Sequence, residues 1–341
     1  MIREAIARLI EREDLRAEEA EAVMQEIMLG EATPSQIGAF LIALRMKQET
    51  AEEILGCARA MRAHAKKVTT RRSPVVDTCG TGGDGLGTFN ISTVVAFVIA
   101  GAGLAVAKHG NRSVSSRCGS ADVLECLGAT IDLGPDETSR CLDDIGIGFL
   151  YAPRLHPAMK HAATPRREMG ARTVFNLLGP LTNPASASIQ LLGVYDAGLT
   201  DTVAQVLSHM GTQCALVVHG ADGLDELSVT GINKVTQLQG GGIDTYYLDP
   251  QDLGLPRADI ASLRGGLPED NAKTMRSLLQ GEKGAKRDTV LLNAAAALFA
   301  ADKAADFKEG LNVAAETIDS GRALAKLDQF IQLSHTLGET Q

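Results

Sequence analysis

The stretch Asp77-Thr78-Cys79-Gly80-Thr81-Gly82-Gly83-Asp84-Gly85, followed by Thr88-Phe89-Asn90-Ile91-Ser92-Thr93, decides the fold of this chain. It leaves a short β-branched pattern, Val75-Val76-Asp77, and runs into an apolar helical one. Strand, glycine-rich turn and helix in succession open an α/β unit. The same turn can hold a phosphate: glycines let the backbone approach an anion, and the N–H groups of the first helical turn point at it with the positive end of the macrodipole. Asn90, Ser92 and Thr93 add side-chain donors, and a serine oxygen can ligate a metal. Read alone, the stretch also suits a flexible turn with an Asn or Ser cap. It is not a Walker A loop, because no Gly-Lys-Ser/Thr closes it, and it lacks the context of a dinucleotide-binding fingerprint.

On the N-terminal side the first seventy or so residues read as four helices. Thr33-Pro34-Ser35-Gln36 and Thr50-Ala51-Glu52-Glu53 are capping boxes, and Gly30 fits a helix stop. The basic run Lys66, Lys67, Arg71 and Arg72 marks a hinge. On the C-terminal side strand patterns recur at Leu104-Ala105-Val106, Leu191-Leu192-Gly193-Val194 and Ala215-Leu216-Val217-Val218, with a helical crossover over 199–211. Asn271 to Leu279, Thr289 to Ala301 and Val313 to Leu327 read as covering helices. The expectation is an α/β protein in two parts. Residues 1–70 form a small all-α domain, with which the segment near 166–186 packs, and residues 73–341 form a larger α/β domain with a central, mainly parallel sheet. Binding loops then gather at the carboxyl ends of the strands.

Composition narrows the function. The chain has 341 residues and a formal net charge of −9, with no Trp. That argues against a nucleic-acid binder, which needs a basic field and stacking aromatics. The longest uncharged apolar run, Val94 to Ala107, is shorter than the roughly 18 residues that suggest a membrane span. The N-terminus carries Glu4, Glu11 and Glu13 and does not read as a signal peptide, so a cytoplasmic protein is expected. Six cysteines form no zinc-like cluster and read as reduced.

Three further blocks carry chemistry. Lys108-His109-Gly110-Asn111-Arg112-Ser113-Val114-Ser115-Ser116, with Gly119-Ser120-Ala121-Asp122 behind it, emerges from an apolar strand with cations, an amide and hydroxyls suited to a pyrophosphate or ribose phosphate. His219-Gly220-Ala221-Asp222-Gly223-Leu224-Asp225-Glu226 supplies adjacent carboxylates of the kind Mg²⁺ prefers alongside substrate oxygens. The run from Pro165 to Pro184 reads as a basic helix start entering a Gly/Pro-punctuated apolar segment.

Taken together, GTGGDG, TFNIST, KHGNR with SSRCGSAD, and RTVFNLLGPLTNP resemble the anthranilate phosphoribosyltransferases, and the resemblance covers essentially the whole chain. It implies a nucleoside phosphorylase/phosphoribosyltransferase-like fold, a homodimer built through the helical domain, and phosphoribosyl transfer from phosphoribosyl pyrophosphate (PRPP) to anthranilate in tryptophan biosynthesis. Carried over by position, it implies a PRPP site of Gly80, Gly83, Asp84, Thr88, Asn90, Ile91, Ser92, Thr93, Lys108, His109, Gly110, Asn111, Arg112, Ser113, Val114, Ser115, Ser116 and Ser120. Gly80, Asn111 and Arg166 would contact anthranilate, with His109 and His156 as neighbours. Ser92, Asp225 and Glu226 would hold Mg²⁺, two ions per monomer. No covalent nucleophile is expected; Lys108, Asn111 and Arg166 would position the reactants. The competing readings are a pyrimidine nucleoside phosphorylase, which has no use for a metal pair, and a non-catalytic paralogue that binds nucleic acid, which should show a basic groove and damaged loops.

Overall fold

A computed structural model describes residues 1–113 and 117–339. The first four helices are α1 (Ile2–Ile10), α2 (Ala17–Leu29), α3 (Pro34–Lys47) and α4 (Ala51–Ala63). Both capping boxes form: Thr33 Oγ1 accepts from Gln36 N at 3.3 Å and Thr50 Oγ1 from Glu53 N at 3.3 Å. Gly30 ends α2 at φ 77°, a left-handed position that costs glycine little.

A seven-stranded sheet follows: β1 (Val75–Gly80), β2 (Ala105–Gly110), β3 (Ile147–Tyr151), β4 (Ile189–Gly193), β5 (Cys214–His219), β6 (Asn233–Gln239) and β7 (Gly242–Leu248). Its order is β3-β2-β1-β4-β5-β6-β7. The five strands β3 to β5 pair in parallel and read as near-continuous apolar runs because both faces are covered. β6 and β7 add an antiparallel hairpin whose two-residue turn, Gly240-Gly241, has positive φ at both positions.

The intervening helices are α5 (Ile91–Gly101), α6 (Ser120–Cys126), α7 (Pro135–Ile145), α8 (Ala152–Leu155), α9 (Lys160–Met169), α10 (Phe175–Leu181) and α11 (Thr200–His209). Four more, α12 (Pro268–Leu279), α13 (Ala285–Ala300), α14 (Phe307–Asp319) and α15 (Arg322–Gly338), close the chain. α5 is apolar almost all round and lies buried between the sheet and α13 and α15. No helix among the described residues is long and apolar enough to cross a membrane.

Two expectations are corrected. The pattern Val313 to Leu327 is not one helix, because Ser320 and Gly321, the latter at φ 78°, separate α14 from α15. The basic run at 165–167 lies at the end of α9, not at a helix start: Arg166 and Arg167 sit in its last turn, where cations complement the helix dipole. Helices α9 and α10 pack on α2, α3 and α4, and Val174, Phe175, Leu177, Leu178 and Leu181 share one apolar cluster with Ile27, Phe40 and Leu44.

Candidate active site

The parallel strands end together, so Gly80, Gly110, Gly193 and His219 lie along one edge of the sheet. From β1 the chain builds β2 and β3 to one side and β4 and β5 to the other, which makes the junction of β1 and β4 the switch point where an α/β sheet opens a crevice. The loop after β5 folds back over that junction. A Cβ on Gly193 would stand 1.7 Å from the Asp225 carbonyl oxygen, and one on Gly80 2.2 Å from Asp225 Oδ2. Only glycine admits the acidic loop there.

Asp225 and Glu226 are both buried. Asp225 Oδ2 accepts the Gly82 N–H at 2.6 Å, which ties the acidic loop to the glycine-rich one. Burial raises the proton affinity of both carboxyls. Asp84 raises that of Asp225 further, and Asp225 that of Glu226. Lys108 and the N–H and hydroxyl of Ser92, at the start of α5, oppose the rise at Glu226. Lys108 is itself buried, its Nζ 2.7 Å from Thr78 O and 3.3 Å from Ser92 Oγ. Ser92, Lys108, Asp84, Asp225 and Glu226 therefore form one charged cluster around the first turn of α5.

The rest of the glycine-rich turn is buttressed from outside. Thr88 bridges to Arg264, and Phe89 N donates to Leu263 O at 3.1 Å. Asn90, at the N-cap of α5, makes no cap bond; its Nδ2 donates to Cys118 O at 3.1 Å and its Oδ1 accepts from Asn271 at 2.9 Å. The side chains of Ile91 and Thr93 are buried in the first turn of α5. Arg172 donates to the Gly83 carbonyl with its guanidinium 4.6 Å over the Tyr195 ring.

The loop after β2 leans on α6. Asn111 O accepts from Ser120 Oγ at 3.3 Å, and the Ser113 and Gly119 amides donate to Asp122 at 3.0 and 2.8 Å. Gly110 leaves room for Ser120, whose Oγ would stand 2.2 Å from an added Cβ. Asn111 is exposed toward the crevice edge, whereas Arg112 is engaged on the surface with Glu125, Asp122 and Tyr151. Val114, Ser115 and Ser116 lie outside the described residues.

Two buried histidines join this loop to the α9–α10 segment. The His109 and His156 rings lie 5.1 Å apart, and His109 Nδ1 faces Gly179 O at 3.0 Å. Burial pushes His109 down to about 3, aided by His156, and burial alone takes His156 to about 4. Both are therefore neutral near pH 7, and neither nitrogen of His156 has a partner. Arg166 stacks 4.8 Å over Phe175, and burial lowers its pKa. It forms no ion pair among the described residues. The sequence reading passed over Asn271, Arg264, and the clasp of Arg172 on Gly83. Arg172 stood inside a quoted motif; Asn271 lies in the first turns of α12 and Arg264 just after a short 3-10 turn, neither with a local signal of its contact.

The glycosyl transferase family a/b domain matches residues 72–324, and the glycosyl transferase family helical bundle domain matches residues 3–65. The anthranilate phosphoribosyltransferase of Moorella thermoacetica is 57% identical over 97% of this chain and 98% of its own. This chain belongs to the anthranilate phosphoribosyltransferase family. The crystal structure of the Thermus thermophilus anthranilate phosphoribosyltransferase superposes with a TM-score of 0.92 at 44% identity, covering 97% of this chain and 99% of that one. The Saccharomyces cerevisiae family member, in complex with PRPP and Mg, gives 0.90 at 29% identity over 98% of both chains. Across this span of identity the family keeps both the helical part and the sheet.

Proposed function

We propose that this chain transfers the phosphoribosyl group of PRPP to the amine of anthranilate, giving N-(5-phosphoribosyl)anthranilate and pyrophosphate in tryptophan biosynthesis. The observation that carries the reading is the convergence of the glycine-rich turn, the Lys108 loop and the Asp225-Glu226 pair on one strand edge, with Arg166 unpaired on the neighbouring segment. The bond from ribose C1 to pyrophosphate breaks as the bond from C1 to nitrogen forms, and the amine gives up a proton. Charge accumulates on the departing oxygens, so positive groups held in place before the reaction lower the barrier. Lys108 and the open N-terminus of α5 face that charge. Arg166 takes the anthranilate carboxylate and aligns a weakly basic amine with C1.

The cluster fits a magnesium site. Two buried carboxylates, their proton affinity raised first by burial and then by Asp84 at Asp225 and by Asp225 at Glu226, lie beside the Ser92 hydroxyl and suit a divalent cation that completes its shell with substrate oxygens and water. Ser92, Asp225 and Glu226 hold it, two ions per chain, and bound magnesium neutralises the pyrophosphate leaving group. Residues 1–70 act as a domain that closes on residues 73–341 through the hinge at 66–72. Exposed Ile10, Ile42 and Met46 on α1 and α3 support a homodimer through the helical part, working in the cytoplasm. The test follows anthranilate fluorescence with purified protein. Loss of signal that requires both PRPP and Mg²⁺ and stops with EDTA supports the reading; turnover of phosphate with a pyrimidine nucleoside and no metal replaces it.

A further inference from the structure

Away from this crevice, a cavity of about 370 Å³ opens where the helical part joins the sheet. Its wall includes Arg59 and Arg62 of α4, Lys67 of the connecting strap, Ser186 of the return segment, and His209 at the end of α11. Three formal positive charges line it, and no carboxylate does. Part of this has a local reason: Arg62 donates to Met210 O at 3.3 Å and Leu181 O at 3.0 Å, closing the carbonyl ends of α11 and α10. That reason leaves a remainder. Arg62 Nε is buried without a partner, and Arg59, Arg62 and Lys67 form no ion pair among the described residues. In a chain of net charge −9, three unpaired cations around one cavity are not a product of composition.

We propose that this cavity is a second binding site, separate from the strand-edge crevice, for a small ion bearing a phosphate group. An arginine fork and a lysine point charge, here Arg59 and Lys67, are the pairing that recognises such a group. Because Arg59 and Arg62 belong to α4 and His209 to α11, a bound anion bridges the helical part to the sheet and stabilises the folded protein by mass action.

The test is the thermal unfolding midpoint of the whole protein, titrated with inorganic phosphate at constant ionic strength against chloride, for the native chain and for Arg59→Gln/Lys67→Gln. Native protein should show a saturable rise. In the double variant the apparent affinity for phosphate should fall about tenfold or more, the equivalent of one charge-assisted hydrogen bond. Lys67→Gln alone, at an exposed position, should give a smaller loss and covers the case in which the double variant folds poorly. No saturable rise beyond the chloride control, or equal phosphate affinity in native and variant proteins, overturns the proposal. Equal affinity would assign the phosphate response to the crevice.

Discussion

Two of the places where the molecule buries acidic groups are treated in opposite ways. In the helical part Glu53 is fully buried, and its carboxylate accepts from Leu15 N at 2.9 Å and Thr50 N at 2.8 Å and lies 3.0 Å from Lys47 Nζ. Each oxygen is satisfied by a neighbour that the capping box and the turn before α2 bring there. At the strand edge Asp225 and Glu226 are nearly as buried, but Asp84 crowds Asp225 and Asp225 crowds Glu226, with Lys108 opposing the rise at Glu226 alone. A buried charge with matched partners holds structure together. A buried pair pressed together without matching charge stores an unmet demand for a cation, which is a working site's property.

The largest effect that sharpens the contrast is at Glu226. Glu226→Gln keeps the shape and removes the charge. Turnover, measured by anthranilate fluorescence at saturating Mg²⁺, should fall by about a thousandfold, on the scale of losing a main electrostatic contact in a transition state. The unfolding midpoint measured without divalent cation should hold or rise, because a desolvated carboxylate is gone. A variant that loses stability as well as activity would make Glu226 a structural acid like Glu53 and erase the distinction.

Glu53→Gln is the mirror experiment. Lys47 keeps Asp14 at 2.6 Å, so the loss is that of the charge-assisted bonds to Glu53 itself and should cost about 2 kcal/mol in chemical denaturation. Turnover per folded molecule should stay within about twofold, since one factor of ten already needs about 1.4 kcal/mol in the barrier. Unaltered stability would show that the knot around Glu53 is dispensable, and the comparison would lose its structural half.

How much of this was legible follows from the range of each signal. Capping boxes, the Gly30 stop and the turn from Gly80 to Gly85 are local, so the four helices and the glycine-rich turn after β1 could be read directly from residues a few positions apart. β3 went unread because Ile147 to Tyr151 is short and follows α7 directly. The β6–β7 hairpin went unread although Gly240-Gly241 signals it, because Asn233 to Gln239 is polar enough to pass for a loop. The strand order, which lays Asp225 against Gly193 and, across more than a hundred residues, against Gly80, has no local trace at all. The same holds for Asn271 on Asn90 and for the basic cavity, each assembled from segments distant in the chain. Gly193 was quoted only as part of a strand; its reason for being glycine became visible once the acidic loop was seen to cross it.

His156 gives the smallest effect and extends the contrast to a base. It is 4% exposed, neither ring nitrogen has a partner, and burial holds it at about 4 against an ordinary 6.5. The unfolded chain binds this proton below about pH 6.5 while the folded chain refuses it until about pH 4, so over that window the unfolded state carries more protons and stability falls as the pH drops. Above pH 6.5 the group is neutral in both states and the full contribution is present. His156→Phe keeps a ring in the packing and removes the titration. Urea unfolding from pH 7.5 down to pH 4.5 should then show a shallower acid limb, recovering about 2 kcal/mol at the low end at about 1.4 kcal/mol per pH unit less partial rehydration. His109, held lower still, continues to contribute a residual slope below that range. Parallel acid limbs in the two proteins would mean that His156 takes up its proton in the folded state at the same pH as in the unfolded chain. The pocket beside Gly179 would then hold a charge, and the partnerless nitrogens would have to be paired with solvent rather than sealed from it.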